Sequence, residues 1–380
     1  MPTYTKEQET TFYAEIQNCK GLDLRNSRGK IHDLGFVLLS LMIALLRNRD
    51  GNLSSIHRNM KNIHLELCSL LSLDIESVIS RSHLPRLLKK VALKKFEGLI
   101  YEWFKIELDE GEKKWFAADG KELRGSIPKG STRGEVRVQL ISHEEKAVTG
   151  NAYYNGQKES EKPCLQQLIV EEKITNQKIT ADALHLCPAM TEPIEAAEGI
   201  FLIGLKENQK ELLQDMKDHA ACFTALKKYR SVDKGHGRLE QRFYELYDVS
   251  GEYFESRWDK TNFRSLVIVD RERINLKDNS LQKERSYYIS NGKAEKNTEY
   301  FKAIRNHWEI EVNHHIRDVT LKEDNFRTKK NEVSRVFSGL RTLSLEILRL
   351  LKPKSIIAQI ELFQDNLKEL IKALKMLNIL

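Results

Sequence analysis

The chain has 380 residues, of which 40% are hydrophobic and 31% charged. This excludes a disordered or collagen-like chain and leaves room for two or three domains with ordinary cores. Its 62 basic and 55 acidic side chains give a formal net charge of +7, compatible with a polyanionic partner but too small to require one.

The five cysteines, Cys19, Cys68, Cys164, Cys187 and Cys222, include no C-x-x-C pair. A disulfide framework or structural zinc site is therefore not expected, and a reducing compartment is. The opening residues lack the basic and apolar regions of a signal peptide. The longest apolar run, Leu34 to Leu46, is thirteen residues, too short to span a bilayer. The expected location is the cytoplasm, with no membrane partner.

Residues 1–110 read as a helical N-terminal domain. Asp33–Arg47 is a strongly apolar helix, and helical patterns follow at Ser54–Leu71 and Leu84–Phe104. Arg25, Arg28, Lys30, Arg47, Arg49, Arg58 and Lys61 punctuate the joins. They either solvate the ends of a bundle or meet DNA phosphates. At Lys114 the pattern changes. Trp115–Asp119 reads as a buried strand ending on a carboxylate, followed by a basic, turn-rich loop to Gly134. Val136–Ser142 and Ala147–Asn155 form a hairpin, and a helix fits Lys162–Lys173. Lys178–Asp182 is a strand, again ending on a carboxylate. A helix over Pro188–Glu198, with Pro at its start, leads to a strand at Gly199–Lys206 and a helix at Gln209–Lys217. Strand signals recur at Arg242–Val249, Ser265–Glu272 and Arg285–Ser290. Thr298–Ile316 returns to helix, and Val333–Leu380 is helical with a break at Pro353.

Three strands, a helix, a strand, a helix, a strand and a late helix are the succession of the ribonuclease-H-like fold, an α/β class. Its first strand is central and its fourth lies beside it. Asp119 and Asp182 would then face each other, with Glu311 on the late helix as a third acid. Converging carboxylates suit two Mg²⁺ or Mn²⁺ ions, hard cations that prefer oxygen. Two ions roughly 3.5–4 Å apart can serve both the attacking and the leaving oxygen of an in-line displacement. A strand-end Asp is equally a helix cap or turn former.

The segments ADGKELRGS (Ala118–Ser126) and TADALH (Thr180–His185) resemble the first and second acid motifs of the H-repeat-associated insertion-sequence transposases, a DDE family related to the insertion-sequence-four group. LKENQ (Leu205–Gln209), HGRLEQR (His236–Arg242), YYIS (Tyr287–Ser290) and IRNHWEIE (Ile304–Glu311) with DVTLKED (Asp318–Asp324) resemble further blocks in order. DLRNSRGKIHDL (Asp23–Leu34) and SHLPRLLKKV (Ser82–Val91) resemble the family's N-terminal domain. The resemblance implies a DNA transposase that cleaves element ends and transfers 3′-hydroxyl strands into target DNA, with Asp119, Asp182 and Glu311 as catalytic metal-binding acids. It also implies a catalytic domain over residues 111–345 with a β-rich insertion at about 207–292, and a C-terminal helical segment over 346–380. The partners implied are the element's terminal repeats, target DNA and a second copy in a synaptic complex. A nuclease without strand transfer and an inactive, transposase-derived DNA-binding protein are the alternatives.

Glu309 and Glu207 stand where the family has Gly. Glu309 is the alternative third acid, about 200° around the helix from Glu311. Lys121, Arg124, Lys206, His236, Arg238, Arg242, Arg327, Lys329 and Lys330 lie near the acids in chain order. They would hold DNA, or be solvated charges. His307 and His315 lie four residues either side of Glu311 and share its helix face, where they would touch DNA or the surroundings of the metals, or form an ordinary polar face. Trp258 is either a buried structural residue or, as the resemblance implies, a platform for a flipped base, worth about 1–3 kcal/mol. No nucleotide-binding loop and no H-E-x-x-H motif is present.

Overall fold

A computed structural model describes residues 10–48, 50–105, 111–127, 129–155, 161–235, 237–294, 299–328 and 331–380. The N-terminal helices are α1 (Phe12–Asn18), α2 (Leu34–Leu46), α3 (Leu53–Leu71), α4 (Leu84–Leu88) and α5 (Leu93–Trp103). Asp33 caps α2 by accepting from the Phe36 N–H at 2.6 Å. Every residue of α2 is buried, as expected of a helix apolar on all sides. The helix expected over Leu84–Phe104 is two helices. The Ala92 N–H between them donates to the Leu22 carbonyl, and Val91 bridges Asp23. An extended segment there satisfies the chain from residues 22–23, which a continuous helix could not.

The sheet begins with β1 (Trp115–Glu122), β2 (Val136–Ser142) and β3 (Val148–Tyr154), joined antiparallel. After α6 (Glu161–Glu171), β4 (Lys178–Ala181) pairs parallel to β1. After α7 (Pro188–Ala196), β5 (Ile200–Leu205) pairs parallel to β4. Next come α8 (Lys210–Cys222), β6 (Lys227–Gly235), β7 (Arg238–Asp248), β8 (Ser265–Asn275) and β9 (Leu281–Ser290). The strand order is β3-β2-β1-β4-β5-β9-β8-β7-β6. The β-rich segment thus extends the same sheet, because β9 adds antiparallel to β5. Strand β6 has no counterpart among the sequence expectations: most of its side chains are exposed, so it lacks the alternation that marks a half-buried strand.

Strand β1 does not end at Asp119, as the sequence pattern suggests. Gly120–Glu122 continue the ladder with β2, while the pairing with β4 stops at Ala118↔Ala181. The basic loop therefore starts three residues later than expected.

Helix α9 (Glu299–His315) runs into a π turn at Ile316–Thr320, and α10 (Asn331–Leu350), α11 (Ile356–Asp365) and α12 (Leu367–Met376) follow. Pro353 falls in the gap between α10 and α11. Side chains alternate across β1. Phe116 and Ala118 join a core with Leu165, Ile194 and Leu212 of α6, α7 and α8, while Ala117 meets Ile310 of α9. The N-terminal helices share one core with α10–α12, in which Leu41 and Phe96 lie with Phe337, Leu340 and Leu370. Among the described residues no helix is long and apolar enough to cross a membrane.

A buried ion triad joins these layers. Glu323 accepts from Arg317 Nε at 2.9 Å and Nη2 at 2.6 Å, and from Arg137 Nη1 at 3.3 Å. Arg317 also donates to Thr342 Oγ1 and the Ser338 carbonyl of α10. Despite burial, the two guanidinium groups hold the Glu323 carboxyl well below the usual range. Removing one partner of such a group leaves uncompensated buried charge. We predict that Glu323→Ala lowers stability by about 3–5 kcal/mol in urea denaturation. Glu332→Ala, which removes a 3.8 Å surface pair with Lys89, should change it by about 0–1 kcal/mol. Equal effects would show that the triad contributes no more than a surface pair.

Candidate active site

Because β1 and β4 run parallel with Ala118 opposite Ala181, the next residues, Asp119 and Asp182, lie side by side as the two strands part. Burial, and then the charge of Asp182, push the Asp119 carboxyl up to about 7. Asp182 is half exposed and also caps the following 3-10 turn, accepting from the Leu184 N–H at 2.9 Å. The capping role that the sequence allows for such a residue is therefore filled, and it leaves Oδ2 of Asp182 uncommitted to the cap.

Helix α9 covers this pair. His307 Nδ1 lies 2.9 Å from Thr180 Oγ1 on β4, and His143 Nε2 lies 2.9 Å from the same oxygen. His314 Nδ1 lies 3.8 Å from Asp119 Oδ2. Burial pushes His307 down to about 4 and His143 down to about 3, so both imidazoles are neutral at pH 7. Residues 307, 311 and 314 follow the i, i+4, i+7 spacing of one helix face. Glu311 is exposed on that face. Partial desolvation raises its carboxyl, opposed by the charges of Arg271 on β8 and Lys206 after β5. Glu309 instead pairs with Lys146 of the β2–β3 turn at 2.9 Å.

The fold brings Asp119 and Asp182 together and places Glu311 on the covering helix. Among the described residues no three His, Cys, Asp or Glu side chains are close enough to hold a metal ion as a group. The pair itself fits a hard divalent cation: both donors are carboxylate oxygens, and their mutual repulsion is what a bound cation relieves.

The basic residues divide. Arg124, Lys206, Arg327 and His315 are exposed. Arg238 is exposed and lies 3.9 Å from Glu240. Lys121 is buried and ion-paired with Asp318. Arg242 is held between Asp233 and Glu240. His236, Lys329 and Lys330 lie outside the described residues. Trp258 corrects the base-stacking expectation: it is 2% exposed and packs edge-on against Phe263 at 5.1 Å. Its indole has no free face for a base.

Sequence reasoning missed Thr180, His143, His314, Glu161 and His185 as neighbours of the acids. His314 carried a usable signal, three residues after Glu311 on the same face. Glu161 carried none, since only the packing of α6 brings it to β1.

In the metal-free protein, the native state holds a proton on Asp119 that the unfolded chain, with an ordinary carboxyl at 3.8, releases. Native stability therefore falls as pH rises from about 4 to about 7. Asp119→Asn removes this loss. Its melting temperature should exceed that of the native chain by about 2–4 °C at pH 8 and match it at pH 4. An equal gain at both pH values would disprove this origin.

No family model matches the chain. It is 26% identical over 262 residues to "Putative transposase YncI" of Escherichia coli O157:H7, covering 67% of this chain and 66%, just under two thirds, of that protein. It is 26% identical over 273 residues to "Putative protein YbfL" of Escherichia coli K12, covering 70% and 72%. It is 25% identical over 335 residues to "H repeat-associated putative transposase YhhI" of Escherichia coli K12, covering 86% and 87%. With the paired carboxylates lying inside that shared length, the chain is a distant homologue of proteins named "Putative transposase YncI" and "H repeat-associated putative transposase YhhI".

Proposed function

We propose that this chain is a DDE transposase with a ribonuclease-H-like core, using Asp119, Asp182 and Glu311 to hold two divalent cations. The observation that carries the reading is the Asp119–Asp182 pair, set at adjacent parallel strands in a chain homologous to proteins whose names read "putative transposase". The strand order β3-β2-β1-β4-β5, with β1 antiparallel to β2 and parallel to β4, supports the core. Bound Mg²⁺ or Mn²⁺ would supply the activated water or 3′-hydroxyl and the charge for the leaving oxygen. The protein's own part is to hold the carboxylates adjacent, to cover them with neutral imidazoles, and to offer Arg124 and Lys206 to DNA phosphates. Those two residues follow β1 and β5, which with β4 run parallel, and so lie toward the same end of the sheet as the acids. Double-stranded DNA is the partner this reading calls for, and a second copy would join two element ends.

A second reading, a transposase-derived protein that binds DNA without cutting it, draws on one observation: no three acids converge among the described residues. The test is Mn²⁺-dependent cleavage of DNA carrying the element's own flanking repeats, comparing the native chain with Asp182→Ala. Cleavage by the native chain, falling to background in Asp182→Ala, is expected. If neither cuts and both bind the repeats, the second reading holds. Equal cleavage by both would remove Asp182 from the chemistry.

A further inference from the structure

Behind the acid pair lies a row of polar side chains that the proposed reaction does not use. Glu161 opens α6 on the sheet face opposite α9. Its Oε2 accepts from the Tyr154 hydroxyl at 2.8 Å. Its Oε1 lies 3.4 Å from Nε2 of His185, and that nitrogen lies 3.9 Å from Asp182 Oδ1. His185 is 1% exposed, and the same ring nitrogen faces both carboxylates. Neither ring nitrogen of His185 has a hydrogen-bond partner among the described residues. A buried imidazole is costly unless its N–H is used, and the acceptors facing it are the carboxylates of Glu161 and Asp182. Gly120 belongs to the same arrangement. A Cβ there would sit 2.9 Å from Glu161 Oε1, so the residue after Asp119 must be small for Glu161 to reach His185.

We propose that His185 is a positioning residue for Asp182, held in turn by Glu161 and Tyr154. The chain Tyr154–Glu161–His185–Asp182 fixes the orientation of the Asp182 carboxylate from behind, while its front meets the cation. This rests on the carboxylate-pair reading above. Groups that orient a ligating carboxylate are worth about 10–100-fold in metal affinity.

The experiment is titration of the full-length chain with Mn²⁺ alone, following the resonance of free Mn²⁺, alongside melting curves. Glu161→Gln and His185→Gln are expected to bind Mn²⁺ about 10–100-fold more weakly than the native chain. Asp182→Ala should lose binding. A purely structural role would lower the melting temperature and leave the affinity of the folded protein unchanged. If either variant fails to fold, Tyr154→Phe removes only the outermost hydrogen bond and carries the test, with a several-fold weakening expected. Native affinity in the folded variants, with binding lost in Asp182→Ala, would overturn the positioning role and leave the carboxylate pair intact. Native affinity in Asp182→Ala would overturn the pair as a metal site, and the proposal with it.

Discussion

Glu323 is buried and accepts hydrogen bonds from two guanidinium groups that arrive from different elements, Arg137 from β2 and Arg317 from the π turn after α9. Arg317 in turn reaches Ser338 and Thr342 on α10. Desolvating these charges is costly, and an apolar plug of similar volume could be as stable. The hydrogen-bonded triad is directional where an apolar plug is not. It ties the end of α9 to the sheet and to α10 in one register, and that register sets His307 against Thr180 and His314 against Asp119.

The same constraint bears on the site's electrostatics. A helix laid across β1 and β4 shields Asp119, whose side chain is 26% exposed, more than Asp182, which stays half exposed. Two adjacent like charges in such a place oppose each other's ionisation, and the more buried one yields. Burial keeps His143, His307 and His314 neutral, so these three imidazoles do not neutralise the pair. The site is therefore short of positive charge, the condition a divalent cation meets.

Positive charge is instead committed elsewhere. On the β7–β8 extension, Arg238, Arg242, Arg271 and Arg273 all lie within 4 Å of the buried Glu240. Lys121 is taken up by Asp318. Closeness in sequence to an acid motif does not separate a cation that faces solvent, such as Arg124 or Lys206, from one that neutralises an internal carboxylate. Burial makes that distinction, because an unpaired charge is not tolerated inside.

Local sequence determined the elements. The all-apolar run of α2, the buried strands β2 and β5, and the alternation of β7 mark themselves by composition and period. The pairing of β1 with β4, and so the meeting of Asp119 with Asp182, follows from the order of elements as the sequence presents it. What only the tertiary structure decided are the facts that depend on a distant partner. Strand β1 outruns Asp119 because β2 is there to pair with it. Strand β6 exists because β7 offers an edge. Trp258 is core because Phe254 and Phe263 enclose it, and Glu161 reaches His185 because Gly120 leaves room. The period of a sequence reports which side of an element is buried, and it carries no information about which remote side chain does the burying.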